Sequence, residues 1–316
     1  MAVPVITAQP TQQSAAVSNT ATFSVTASGA TSYVWNTVSG SVSAANLTSG
    51  LSNTAATSYT TASVTHTTGR PVFLSVCSRL VGGPIPASPT ITGLGLTWTV
   101  VTAVSTSLTA NDKTLTVFQG VGTGATGTIT IDFGAVIQSQ AVWVLDELTN
   151  TSPTAPVMKF VSALSDNGAG GTLSVSMGAF LSPRNATYVA AMDDDGTPAF
   201  GGGVTAIVTV GPTANGVEVG TAFNAGNVST PSATSNVVAN TSQIIIGMEI
   251  RPATPISGAT SSSYTTSTLT AADNGTVYSV DCVNTDGTTV SANVYLFIIG
   301  ESSGDGDKIN SAWFAR

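Results

Sequence analysis

The most informative property of this 316-residue sequence is how little charge it carries. Asp, Glu, Lys and Arg together make up 8% of the residues, against about 25% in an ordinary soluble domain. A long surface helix needs charged or amide side chains on its wet face, whereas Thr and Ser suit the wet face of a strand. The sequence therefore predicts an all-β protein.

Other scarcities exclude whole classes of function. The chain has 8 Lys and Arg against 16 Asp and Glu, for a net charge of −8, so it offers no basic surface for nucleic acid. One His and 2 Cys are too few for an ordinary zinc site and leave little choice of base for a nucleophilic triad. We therefore predict that the protein is not an enzyme and holds no cofactor.

The sequence also predicts neither a membrane helix nor a signal peptide. The most apolar runs, residues 244–250 and 294–299, are far shorter than the roughly 18 residues of a membrane helix, and we predict that both are buried strands. The first ten residues contain no Lys or Arg and no apolar core of a signal peptide. We expect synthesis in a host cytoplasm and no membrane partner.

Strand-sized runs bounded by Gly, Pro, Asn, Asp and Ser recur along the whole chain. In residues 128–133 polar and apolar side chains alternate, which is the period of a strand with one wet face. No long segment has the 3.6-residue period of a helix. The predicted strands are residues 20–27, 33–35, 63–67, 72–80, 96–104, 113–119, 127–133, 140–148, 157–161, 172–177, 186–192, 204–210, 216–222, 243–250, 277–283 and 291–298.

Two segments far apart in the sequence are predicted to be the halves of one sandwich. Residues 4–35 contain a proline-marked edge strand, an alternating strand and a run that ends in Trp35. Residues 256–298 contain further strands and a turn at an Asp-Gly pair. Half a sandwich cannot bury its inner face, so we expect Phe23 and Trp35 to pack with Tyr278 and its neighbours.

The motifs in these halves resemble the bacterial immunoglobulin-like modules of surface and virion proteins. In that family a Trp on the third strand packs in the core, and Asp-x-Gly followed by Tyr forms a tyrosine corner. Trp35 occupies the first position, and Asp273, Gly275 and Tyr278 occupy the others. The resemblance implies an immunoglobulin-like sandwich, here without the disulfide, because valines stand where many relatives carry cysteines.

The implied domain is discontinuous and consists of residues 1–38 and 255–299. Residues 39–254 are too many for a loop and are expected to form an inserted domain. Their strand rhythm is similar to the jelly-roll-like β-sandwich modules of phage and environmental proteins. Trp98 and Trp143 lie in alternating strands, and either the core or an exposed platform for sugar rings fits that pattern.

The composition changes after Ile299. Residues 300–307 are polar and Gly-rich, and two aromatic residues follow near the chain end. This pattern fits a tether with a docking plug for a partner, and it equally fits a frayed tail. Residues 300–316 are therefore assigned as a C-terminal linker and tail, with Trp313 and Phe314 as the candidate partner-docking residues.

Few residues suggest chemistry. Asp193, Asp194 and Asp195 precede a Gly and could bind one calcium ion, but a solvated turn after a strand fits the run better. Asp146 and Glu147 are adjacent acids, and glycoside hydrolysis needs two carboxyl groups across one bond. Neighbours on a strand point to opposite faces, so this pair cannot converge on a substrate.

The remaining candidates are single residues. His66 has no Cys, Asp or Glu within a strand's reach in sequence, and we predict a surface or strand histidine. Cys77 and Cys282 fall in different predicted domains, and we predict that both are buried thiols.

With no catalytic constellation, the function must be inferred from architecture. The sequence favours a structural protein of a bacteriophage-like virion, either a capsid decoration protein or a tail component. Its partners would be copies of itself and other virion proteins, and its location the virion. The alternative is an adhesin or carbohydrate-binding module with glycan partners. A third class, a polysaccharide-cleaving enzyme, would need an acidic pair that the sequence does not supply.

Overall fold

The structure is a computed structural model that describes residues 2–108, 111–168, 171–211, 216–235 and 241–299. Within these ranges the chain forms 28 strands and a single three-residue helix. The all-β prediction is therefore confirmed. The chain divides into two compact units, which we call the split unit (Met1–Val38 with Ile256–Arg316) and the inserted unit (Ser39–Pro255).

The split unit is a small sandwich built from both ends of the chain. Its main sheet has the order β2-β28-β26-β5, with β27 beside β26, and the pairs β1–β4 and β3–β25 lie outside that sheet. Its elements are β1 (Val5–Ala8), β2 (Gln13–Ala16), β3 (Thr22–Ser24), β4 (Thr26–Ser28), β5 (Ser32–Thr37), β25 (Ser263–Thr265), a 3-10 helix (Ala271–Asp273), β26 (Val277–Asn284), β27 (Gly287–Val290) and β28 (Val294–Ile299).

Aromatic side chains from the two ends of the chain form the core of the split unit. The ring centroids of Phe23 and Tyr278 are 4.7 Å apart, and Trp35 pairs with Val280 across β5 and β26. The buried Trp35 indole donates a hydrogen bond to the Ser261 carbonyl at 2.9 Å. The contacts expected across the long sequence separation are present.

The turn before β26 is fixed by local hydrogen bonds. The Asp273 carboxylate accepts bonds from the Thr270 backbone N–H at 2.7 Å and from its hydroxyl at 2.8 Å, and these bonds lower the pKa of Asp273. Gly275 has φ +79°, a conformation that side chains with a Cβ rarely adopt. This turn delivers Tyr278 into the core.

The inserted unit contains two lobes of the same design. The first lobe comprises β6 (Ser43–Ser52), β7 (Ser58–Thr60), β8 (Val64–Thr65), β9 (Val72–Val81), β10 (Thr90–Gly93), β11 (Leu96–Leu108), β12 (Asn111–Gly122), β13 (Thr126–Gly127), β14 (Ile129–Asp132) and β15 (Gln140–Thr149). The second lobe comprises β16 (Val157–Gly168), β17 (Thr172–Ser174), β18 (Ala186–Asp194), β19 (Ala199–Gly201), β20 (Thr205–Val210), β21 (Val217–Asn224), β22 (Ser232–Thr234) and β23 (Thr241–Ile250), and β24 (Thr254–Pro255) follows it.

Strand order is identical in the two lobes. The first has a five-stranded sheet β11-β12-β9-β15-β6 and a three-stranded sheet β10-β14-β7. The second has β20-β21-β18-β23-β16 and β19-β22-β17, which is the same order with each strand replaced by its counterpart. The sequence predicted one sandwich in this segment, and the structure forms two with the same topology.

The register of the pairing extends this equivalence to single residues. Glu147 of β15 pairs with Val72, and Glu249 of β23 pairs with Thr187. Phe73 and Tyr188, the next residues on β9 and β18, are therefore counterparts. Their rings contact each other at 5.1 Å between centroids, so equivalent positions of the two lobes meet in the interior of the inserted unit.

The lobes share a central core between their five-stranded sheets. Each five-stranded sheet is thus covered on both faces, which explains the long apolar runs of β9, β15 and β23. The central core includes Phe73, Leu115, Val117, Val142 and Val144 of the first lobe and Tyr188, Met192, Val219, Ile244 and Ile246 of the second. Separate outer cores lie between the large and small sheets of each lobe.

Candidate functional site

Glu147 stands at the end of β15 and holds the loop that precedes β9. Its carboxylate accepts a hydrogen bond from the Thr67 backbone N–H at 2.8 Å and forms an ion pair with Arg70, also at 2.8 Å. The guanidinium of Arg70 is partly exposed, whereas Glu147 is buried. The acid is therefore engaged in fixing the entry to a central strand.

Glu249 does the same for the loop before β18 in the second lobe. It accepts hydrogen bonds from the Leu181 backbone N–H at 2.7 Å and from the Asn185 amide at 2.5 Å. The Lys159 ammonium lies 3.3 Å from its other oxygen and 5.1 Å from the centroid of the Phe180 ring. Thr67 and Leu181 occupy corresponding places, so both lobes anchor the same loop with an acid.

Asp146 faces the central core, on the side opposite to Glu147. It accepts hydrogen bonds from the Tyr188 hydroxyl at 2.7 Å and from the Asn46 amide at 3.0 Å. Burial raises the pKa of Asp146, and these hydrogen bonds oppose the rise. The prediction that Asp146 and Glu147 cannot converge on one substrate is confirmed.

The three acids at 193–195 do not form a common site. Asp193 and Asp194 are buried in β18, which runs two residues further than predicted, and only Asp195 lies in the exposed turn, with φ +60°. The solvated-turn prediction is thus wrong for the first two. Asp194 is 2.6 Å from the fully buried Lys113 ammonium. Burial raises the pKa of Asp194 and the Lys113 charge opposes it.

The remaining candidates for metal binding or reactivity are single residues. Among the residues that the structure describes, no three His, Cys, Asp or Glu side chains are grouped to hold a metal ion. His66 is buried, with its Nε2 atom 2.5 Å from the Arg70 carbonyl oxygen, so the surface location that we allowed for it is wrong. Cys77 and Cys282 are buried free thiols, as predicted, and burial raises the pKa of Cys282 to about 11.

Trp98 and Trp143, the two candidates for a sugar platform, point into the first lobe. A Cβ atom at Gly50 would lie 2.6 Å from the Trp143 ring, and one at Gly120 would lie 2.8 Å from the Trp98 ring. Both rings therefore lie flat on glycines of a neighbouring strand, within or against the outer core. Their positions do not provide the exposed stacking surface that glycan binding by these residues would need.

A row of exposed apolar side chains lies on β28 of the split unit. Tyr295, Phe297 and Ile299, which we call the apolar strip, are 39%, 40% and 54% exposed. The first two rings stack, with centroids 6.3 Å apart and planes at 21°. The run 294–299 was predicted to be buried, and this is wrong for every second residue because only the face carrying Val294 and Leu296 packs in the core.

A second apolar surface lies in the inserted unit, where the edge strands β11 and β16 approach each other. A shallow groove of about 420 Å³ is bordered there by the half-exposed Val100 and Phe160. Thr99, Gln119 and Lys159 are the polar residues that line it. Neither surface was predicted from the sequence, although the alternation of large apolar residues at 295, 297 and 299 was a signal for the strip.

No protein-family model matches the chain, and a search of curated proteins gave no significant match. Across the described ranges, no helix is long and apolar enough to cross a membrane. The candidate docking residues Trp313 and Phe314 lie outside the described residues.

Proposed function

We propose that the protein is a structural subunit of a bacteriophage-like virion, acting as a capsid decoration protein or else as a tail component. The observation that carries the proposal is the apolar strip. Stacked aromatic side chains held exposed on a regular strand are typical of surfaces that bind another protein. The expected partners are further copies of this chain and other virion proteins.

Four buried acids described above have structural roles, which supports assembly over catalysis. Glu147 and Glu249 anchor loops, Asp146 accepts bonds within the central core, and Asp194 pairs with Lys113. A low content of charge also suits broad subunit contacts, because desolvating Lys or Glu at an interface is costly. These features suit a subunit that persists and presents surface.

The architecture is consistent with the proposed place in a particle. A sandwich formed by both chain ends, with a second unit inserted between them, fits the resemblance to immunoglobulin-like and jelly-roll-like virion modules. A glycan-binding adhesin is less well supported, since Trp98 and Trp143 pack inward.

The test is to count copies of the chain in purified particles by quantitative mass spectrometry. A decoration subunit is expected in a high copy number fixed by capsid symmetry, and a tail component in a low one. Particles assembled with the Phe297→Ser variant should retain fewer copies of the chain than particles assembled with Phe160→Ser. Phe160→Ser is the control, because it removes a similarly exposed ring outside the strip. Particles that lack the chain would overturn the proposal.

A further inference from the structure

We infer that a pocket at one end of β6, β9 and β15 in the first lobe is a binding site for a carboxylate monoanion. The pocket, which we call the donor pocket, has a volume of about 350 Å³ and is lined by Asn53, Arg79, Val81, Ser139 and Gln140. Its polar side chains offer hydrogen-bond donors to a ligand. The inference goes beyond the proposed function and does not depend on it, because it concerns the chemistry of this pocket alone.

Three neighbouring strands place the polar side chains of the donor pocket in a row. Gln140, the first residue of β15, pairs with Arg79 of β9. Asn53 directly follows Ser52, which pairs with Ala141 on the other side of β15. Residues opposite each other on neighbouring strands point to the same face of a sheet, and the Gln140 amide contacts Asn53 at 2.8 Å. Asn53, Gln140 and Arg79 therefore stand side by side.

The acceptor atoms of these side chains already have donors within the protein. The Val217 backbone N–H of the second lobe donates to Gln140 Oε1 at 3.0 Å, which fixes the orientation of the amide because an N–H can only donate. Gln140 Nε2 then donates to Asn53 Oδ1 at 2.8 Å. The Val81 backbone N–H donates to Ser139 Oγ at 3.1 Å. Protein donors thus occupy the side-chain oxygens of Gln140, Asn53 and Ser139.

Donor groups are therefore what these side chains offer to a ligand. The Asn53 amide has its NH2 group, and the Ser139 hydroxyl has its hydrogen. The guanidinium of Arg79 carries only donors, arranged in a planar fork that matches the two oxygens of a carboxylate. Among the described residues that line the pocket, none is acidic. A ligand group that contains only acceptors complements this set.

The surrounding charges favour an ion with a single negative charge. Lys113 of β12 pairs with Arg79 across the sheet, but Lys113 is fully buried with Asp194 as its counter-ion at 2.6 Å. Of the described lining residues, Arg79 alone is a cation. One guanidinium binds one carboxylate through two parallel hydrogen bonds. The charge of the exposed Asp195, which acts on Asp194, further disfavours a dianion.

The second lobe carries a different residue at the position of the arginine. The register that makes Phe73 and Tyr188 counterparts also makes Arg79 of β9 and Asp194 of β18 counterparts. In the second lobe this position therefore holds an acid, and that acid pairs with Lys113. We expect one carboxylate to bind per chain.

The direct test is a titration of the isolated full chain with sodium acetate, with the ionic strength held constant by sodium chloride. The backbone N–H groups of Val81 and Val217 donate to side chains of the donor pocket. Their NMR signals should shift to saturation with a dissociation constant in the millimolar range, while signals of the split unit stay unchanged. Absence of a saturable shift at both groups would overturn the inference.

The sharpest variant is Asn53→Asp, because Asn53 is exposed and the change places a carboxylate among the donors. It should weaken acetate binding about ten-fold or more. Asn227→Asp is the matched control, since it makes the same change of charge at an exposed asparagine of the second lobe. This control should bind acetate as the wild type does. Equal binding by Asn53→Asp and the wild type, or equal weakening in both variants, would overturn the inference.

Other anions test the assignment to a carboxylate. Sulfate, a tetrahedral dianion, should bind several-fold more weakly than acetate, and equal binding would overturn the assignment. Arg79→Lys keeps the charge without the planar fork, so it should reduce the preference for acetate over sulfate. An unchanged preference would contradict the role given to Arg79.

Two further ligands distinguish the sources of the carboxylate. Glucuronate carries it on a sugar, and N-acetylglycine carries it on a peptide-like group. Both should shift the signals of Val81 and Val217, and the tighter of the two identifies the source. Binding of neither, with acetate bound, would overturn the inference that the pocket accepts a carboxylate from a larger ligand.

Discussion

The two lobes of the inserted unit have one topology and different contents. The outer core of the first lobe is aromatic, with Tyr59, Phe118 and Trp143 among its members. The corresponding core of the second lobe relies on small side chains such as Ala191 and Ala222. The same strand order and the same alternation of inward and outward residues therefore hold with outer cores of different side-chain size.

The lobes also differ in how they hold the same loop. In the first lobe the partner of the anchoring acid is Arg70, whose side chain is 44% exposed. In the second lobe Glu249 is fully buried and is held by Asn185 and a backbone N–H as well as by Lys159. Glu147 and Glu249 thus anchor equivalent loops, but they are buried to different depths. The contribution of each to the free energy of unfolding can therefore be compared by mutating them one at a time.

The largest expected effect comes from the ion pair that joins the lobes. Lys113 of the first lobe is fully buried against Asp194 of the second. Lys113→Met leaves a buried carboxylate without its partner, which should lower the free energy of unfolding by about 3–5 kcal/mol. Urea denaturation measures the loss, and Lys113→Met combined with Asp194→Leu should recover most of it. A loss no larger than that of an exposed pair would contradict this role.

Replacing the more deeply buried of the two anchoring acids should destabilise the protein more. Glu249→Gln should cost about 2–3 kcal/mol, because hydrogen bonds to a buried charged group are lost, and Glu147→Gln about 1 kcal/mol, because Arg70 is partly solvated. Thermal unfolding of the two variants gives the ranking. Amide exchange at Leu181 and Thr67 should rise in the respective variant only. Equal losses of stability in Glu249→Gln and Glu147→Gln would show that the depth of burial does not set the contribution of the anchoring acid.

A smaller effect follows from a titratable group that only the first lobe has. Burial raises the pKa of Asp146 from 3.8, and its structural counterpart on β23 is Met248. A raised pKa in the folded state means that the stability contribution is present below pH 3.8 and is lost as the pH rises through the raised value.

Asp146→Asn should therefore lack the loss of stability that the wild type undergoes as the pH rises through the raised pKa of Asp146. Unfolding free energies measured from acid to neutral pH test this. The pKa of Asp194 is also raised, but it changes both proteins alike and cancels in the difference. If the unfolding free energies of the wild type and of Asp146→Asn changed in parallel with pH, the titration of Asp146 would make no contribution to the pH dependence of stability.

The last prediction is that removing metal ions or reducing disulfides has no effect on stability. The two cysteines are free, and the acids at 193–195 do not converge. Neither a chelator nor a reductant should change the melting temperature measured by calorimetry, because apolar burial and sheet hydrogen bonds supply the stability. A clear fall with chelator would indicate a metal site.

Local signals made much of the fold predictable. Apolar runs identified the strands β9, β15 and β23, and the aromatic set around Trp35 and Tyr278 located the core of the split unit. β6 (Ser43–Ser52) was missed, because its sequence has no regular apolar alternation and its place in the sheet depends on pairing with β15. Such edge strands are specified by their neighbour more than by their own residues.

The duplication and the functional surface were harder to predict. The lobes share few residues in register, and the clearest trace is an apolar run that ends near a Glu in both β15 and β23. The strand that carries the apolar strip was predicted to be buried, because an apolar run in the sequence does not show whether one face or both faces of the strand are covered. Coverage depends on the whole assembly of sheets.

The pairing of Trp35 with Val280 has a consequence for synthesis. The partner strand is made 245 residues later, which takes roughly 10–50 s at translation rates of about 5–20 residues per second. During that time Phe23 and Trp35 have no β26 to pack against, while the inserted unit, which lies wholly between them and β26 in sequence, can already fold. The N-terminal segment is therefore the longest-lived target for chaperones on the ribosome, and a premature stop anywhere before β26 would leave it permanently without its core.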